Sequence, residues 1–143
     1  MKLLLRGFIV FWLMSGLIAC ESKQDERAEE QGYYFLEALK QVESGGRKLQ
    51  IANLSQAQLN EALRNLDDGL KLAFQVKRPF LDNLDLRLGK NFERYFIKGV
   101  ENYRIGIEAA DKSQQQAGLG LLQKWSQFWQ LEQDVILAQL KPE

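Results

Sequence analysis

From residue 33 onward the apolar side chains recur at steps of three and four, the spacing of amphipathic helices, and no stretch sustains the alternation of a strand. Tyr33, Leu36 and Leu39 predict a first helix that begins close to residue 22, where Ser22 and Asp25 offer a capping pair, and breaks at Ser44-Gly45-Gly46. Residues 47–54 read as either resumed helix or loop. Ser55-Gln56-Ala57-Gln58 has the form of a capping box, and behind it Leu59, Leu63, Leu66, Leu70, Ala73 and Lys77 predict a second helix that stops before Pro79. Pro79 suits the first position of a third. Leu81, Leu84, Leu88, Phe92, Tyr95, Phe96, Gly99, Tyr103, Gly106 and Ala110 share one face, which predicts an unbroken helix of about 45 Å. After a turn at Asp111-Lys112-Ser113, Leu122, Trp125, Trp129, Ile136 and Leu140 mark a fourth helix, with Gly118-Leu119-Gly120 as an irregularity near its start. Four such segments with short connections predict an all-α, antiparallel up-down bundle over residues 32–143.

Composition narrows the chemistry. The 143 residues carry 19 basic and 19 acidic side chains and no histidine, so there is no net basic field for a nucleic acid and no imidazole for proton relay or zinc ligation. No phosphate-binding glycine loop and no nucleophile elbow occurs. The expectation is a non-enzymatic protein without cofactor or metal. Asp67-Asp68 lacks the loop spacing of a calcium site and reads as solvated charge.

The start of the chain differs from the rest. Lys2 and Arg6 precede an apolar run from Gly7 to Met14, then Ser15-Gly16 and Leu17-Ile18-Ala19-Cys20. This is the layout of a cleaved signal peptide, residues 1–19, and the run falls short of the roughly 20 apolar residues a bilayer span needs. Leu17-Ile18-Ala19-Cys20 resembles the lipobox of bacterial lipoproteins at all four positions. The resemblance implies cleavage after Ala19, a diacylglycerol thioether on Cys20, and acylation of the new amino terminus. Two or three acyl chains anchor stably where one is marginal. In the family's sorting rule for enteric-type bacteria, Asp after the cysteine retains the protein in the inner membrane. Glu21 stands there instead, which implies the outer membrane, facing the periplasm. In a bacterium with one membrane the same motif implies the outer cell surface. An ordinary cleaved signal with an incidental cysteine and an uncleaved amphipathic anchor are the other readings of this stretch.

Cleavage after Ala19 leaves 124 residues, with 17 basic against 19 acidic side chains, a formal charge of −2. The sole cysteine would be taken up by lipid, so packing alone must hold the domain together. Residues 20–31 are then the lipidated cysteine followed by a polar tether or first helical turn.

Phe92, Tyr95, Phe96, Gly99, Tyr103, Gly106, Trp125, Phe128 and Trp129 cluster on the third and fourth helices. They read first as core, with Gly99 and Gly106 admitting a neighbouring helix, and second as a groove for a partner or ligand. Asp85 and Glu132 interrupt the apolar stripes about 10 Å apart along the bundle, as rim charges or ion pairs with residues such as Arg94 or Lys98. Asp85 is expected near Gln139. The functional expectation is an accessory or assembly factor that binds another envelope protein, and the alternative is a carrier of a small apolar ligand or lipid in the aromatic core. A carrier needs an internal cavity, whereas a binder needs a filled core and an apolar strip outside.

Overall fold

A computed structural model describes the backbone of residues 15–140 and the side chains of residues 23–140. The leader expected at residues 1–19 and the lipidation expected at Cys20 lie outside the described residues, apart from the backbone from Ser15 onward. The chain divides into two compact units, residues 1–30 and 31–143. In the first, the described backbone from Ser15 is helical and the side chains of residues 23–30 are exposed. The second is an all-α bundle, with no strand among the described residues.

The elements are α1 (Ser15–Leu49), α2 (Gln56–Ala73), α3 (Arg78–Leu84), α4 (Leu88–Asn91), a π-helical segment (Phe92–Ile97), α5 (Lys98–Glu108) and α6 (Lys112–Leu140). Residues 78–108 together form one arm, so the bundle has four arms running up, down, up and down. Gln31 bonds the backbone of Gln75 and Lys77, while Lys48, farther along α1, reaches Glu61 and Asn65; α1 and α2 are antiparallel.

Helix α1 corrects the predicted stripe. Tyr33 is 61% exposed and Leu36 is 39% exposed, and only Leu39 packs against the core. The buried face is Gly32, Phe35, Ala38, Val42 and Gly45. Small residues carry little weight in a hydrophobic pattern, yet here they set the contact: a side chain on Gly45 would meet the Ala62 carbonyl oxygen at 2.9 Å, and one on Gly69 would meet Val42 at 2.6 Å. For the same reason Gly45-Gly46 does not break the helix, which continues to Leu49, with a turn following at residues 50–53. Its backbone is already helical at Ser15, the first described residue, ahead of the expected start near residue 22.

Helix α2 starts as expected but ends at Ala73, four residues before Lys77, which sits at the N-cap of α3 instead. The Ser55 hydroxyl accepts from the Gln58 amide, and Gln58 Oε1 accepts from the Ser55 amide at 2.9 Å.

The predicted single third helix is broken. Asp85 is extended, its carboxylate accepts from the Arg87 amide at 2.7 Å, and Leu88 donates to its carbonyl. This local turn competes with helical bonding, as short acidic side chains do. The helix that resumes is α-helical at Leu88–Asn91 and again at Lys98–Glu108, with an underwound stretch between. There Lys98 N–H reaches Glu93, five residues back, the signature of a π-turn. Within that turn Phe92 and Phe96 stack at 4.9 Å.

Gly118-Leu119-Gly120 lies inside α6 rather than at an irregular start. Helices α5 and α6 approach almost backbone to backbone: a Cβ on Gly118 would lie 2.4 Å from the Tyr103 nitrogen, and one on Gly106 would lie 2.5 Å from the Gln115 nitrogen.

Candidate interaction surface

The nine aromatic and glycine positions singled out in the sequence divide between the interior and its margin. Phe92, Phe96 and Trp125 are buried, and Tyr95, Tyr103, Phe128 and Trp129 are half-buried around them. Gly99 and Gly106 face α6 at contact distance, Gly99 against Leu122. Phe35 of α1, absent from that set, completes the aromatic assembly. Its ring lies 5.3 Å from Phe92 and 5.7 Å from Trp129, both edge-on, and Trp125 stacks on Trp129 at 5.7 Å. Edge and offset arrangements of this kind add to what burial alone contributes. The space between the third arm and α6 is thus occupied by side chains and by the two helix backbones themselves. Burial raises the Tyr103 phenol above its ordinary value.

The two acids singled out do not pair with Arg94 or Lys98. Both meet Arg87, whose Nη2 lies 2.9 Å from Asp85 and 2.9 Å from Glu132. The turn at Asp85 that breaks the third arm swings Arg87 toward α6, where its guanidinium also lies 5.6 Å from the Phe128 ring. Two hydrogen-bonded carboxylates hold the guanidinium in its charged form, and Asp85 is in turn held below the usual carboxylate range, chiefly by its bonds to Arg87. Gln139 donates to the Leu84 carbonyl, next to Asp85, as the antiparallel register requires. The cluster is a clasp between arms in which two carboxylates share one guanidinium. Asp67 and Asp68 both pair with Lys71, and no group of three metal-ligating side chains occurs among the described residues.

Outside the core, α6 presents a second apolar row. Leu131 is 81% exposed and Val135 is 58% exposed, and at steps of four and three they lead to Ala138, on a flank about a third of a turn from the buried Trp125 and Ile136. Ala138 also belongs to a groove of about 360 Å³ between α6 and α1, lined by Leu36, Asp134, Leu137 and Leu140. Tyr33 lies one turn before Leu36 on α1. In the sequence Leu131 and Val135 fall off the main apolar stripe of α6. Their signal was that very displacement: apolar side chains at helical spacing on the face that should be polar.

A second groove, of about 370 Å³, opens between α2 and the third arm over Phe74, Val76, Leu81 and Ile97. No helix among the described residues is long and apolar enough to cross a membrane. Compared with protein-family models, curated proteins and solved structures, the chain matches none.

Proposed function

We propose that this chain is a non-enzymatic envelope lipoprotein, anchored by acyl chains on Cys20 in the outer membrane and facing the periplasm, whose bundle docks an apolar helical or loop segment of another envelope protein. The observation that carries the docking half is the Leu131–Val135–Ala138 row beside the groove at Leu36. An apolar face at helical spacing beside a groove is suited to take the apolar side of another segment. The occupied space between the third arm and α6 favours docking over carriage of a ligand within the core. Anchoring rests on the lipobox resemblance, and a tethered domain meets membrane partners at high effective concentration, so modest affinity suffices.

The experiment places a photo-crosslinking side chain at Leu131 in cells making the full chain, with Val135→Lys as the comparison. A discrete adduct that disappears in Val135→Lys is expected. No adduct at Leu131, together with lipid copurifying with the folded chain, would transfer the reading to the carrier. The anchor is tested separately by the mass of native Cys20: an unmodified thiol overturns it.

A further inference from the structure

Lys90, Arg94 and Lys98 follow one another at steps of four through α4, the π-helical segment and the start of α5. A four-residue step overshoots the 3.6 residues of an α-turn, so cations spaced this way along a regular helix drift around its surface. A π-turn takes more residues, the same step undershoots it, and the two errors oppose each other. All three cations accordingly line one surface groove of about 360 Å³, with Glu93 and Leu121 beside them. Lys124, three residues beyond Leu121 on α6, adds a fourth: its Nζ lies 5.8 Å from the Tyr95 ring centroid, and the Arg94 guanidinium lies 5.7 Å from the same ring.

Lys40, Lys48, Lys71, Arg78, Arg87 and Arg104 each pair with a carboxylate. Among the described residues, Lys90, Arg94, Lys98 and Lys124 form no ion pair. Of the nearby acids, Glu93 is engaged by Arg78 at 3.1 Å, and Glu101 lies with Lys98 on the neighbouring groove.

We infer that this stripe rests on the phosphate headgroups of an anionic bilayer. The four cations are exposed and strung along two arms rather than converging on one point, which suits an array of phosphates better than a single one. Tyr95 and Leu121 lie half-buried among them and offer the mixed apolar and aromatic contact of a surface-bound helix. The inference rests on the membrane location proposed above: for a bundle already tethered, weak headgroup contacts are enough to lay one face against the surface.

The test uses the full chain with Cys20→Ala, so that a fluorophore on Gly120→Cys is the only label; Gly120 is exposed and nothing lies within 4 Å of its added Cβ. Quenching is read on chain that floats with the vesicles, and chain that does not float counts as unquenched. Quenching by a headgroup nitroxide is expected to be at least about threefold stronger in vesicles containing about a third phosphatidylglycerol than in pure phosphatidylcholine. It should fall to the phosphatidylcholine level in about 1 M salt, where screening acts within about 3 Å, and in Lys90→Gln/Arg94→Gln/Lys98→Gln/Lys124→Gln. Lys90→Gln/Arg94→Gln should lose roughly half, and a helical circular dichroism spectrum confirms that both variants fold. Equal quenching in the two vesicle types overturns the inference. So does loss of quenching in inorganic phosphate but not in chloride of matched ionic strength, which marks a free-phosphate site. Neither outcome bears on the anchor, which stands or falls with the mass at Cys20.

Discussion

Ala110 ends α5 with φ at 53°, a left-handed conformation, while the Asp111 amide reaches back to the Gly106 carbonyl and the Ala110 amide to that of Ile107. This is the Schellman closure, with alanine where glycine usually sits. Ala110→Gly relieves the strain at some cost in unfolded-chain freedom and is expected to raise unfolding free energy by about 0.5–1 kcal/mol in urea denaturation. Two glycines of α6 provide a sharper contrast. Gly118 faces the Tyr103 backbone, so Gly118→Ala is expected to cost about 3 kcal/mol, whereas Gly120 faces open space and Gly120→Ala should gain about 0.8 kcal/mol of helix propensity. Opposite signs two residues apart are the result to look for. At Asp85 the sign follows from its lowered pKa. Its contribution is whole above the ordinary aspartate value of about 3.9 and is lost as pH falls through the lower folded value. In Arg87→Gln, carboxyl NMR should show Asp85 titrating back toward the ordinary range, with less of the acid unfolding steepness below about pH 4.

At the level of elements, Ser55→Ala removes one hydroxyl of a reciprocal cap and should lower stability by about 1 kcal/mol, read as a shift in denaturation midpoint without a change in slope. That cap was legible in the sequence because its chemistry is local: Ser55 and Gln58 act within a few residues. The same holds for the loop at Asp111, whose carboxylate caps α6 through the Gln114 amide. Three features were not legible, each for a non-local or compensating reason. The register of α1 turns on Gly32, Ala38 and Gly45, which look indifferent until Leu140 and Phe80 close on the first and α2 packs against the other two. The break at Asp85 replaces helical bonds by a side-chain turn of equal length, so the apolar spacing of Leu81, Leu84 and Leu88 continues across it. The π-turn leaves Phe92 and Phe96 four apart, as any helix would.

Across the whole bundle, the aromatic cluster joins α1, the third arm and α6 through Phe35, Phe92, Phe96, Trp125 and Trp129. Phe35→Ala should cost about 3–5 kcal/mol and flatten the near-ultraviolet circular dichroism of the tryptophans. Trp125 and Phe92 were identifiable from periodicity; Phe35 was not, because Tyr33 and Leu36 on its flanks made a more apolar stripe on the wrong face. The interaction surface was hidden for the converse reason. Leu131 and Val135 become notable only once Trp125 and Ile136 define which side of α6 is covered.

The tight approach of α5 and α6 has a kinetic consequence. Gly106 meets Gln115 across only nine residues of chain, and Gly99 meets Leu122, so this hairpin closes a short loop before any other pair of arms must find each other. It is therefore the expected nucleus of folding. Gly118→Ala should slow refolding nearly in full proportion to its equilibrium loss, while Phe35→Ala, which joins the arms most distant in sequence, should act chiefly by speeding unfolding in stopped-flow measurements.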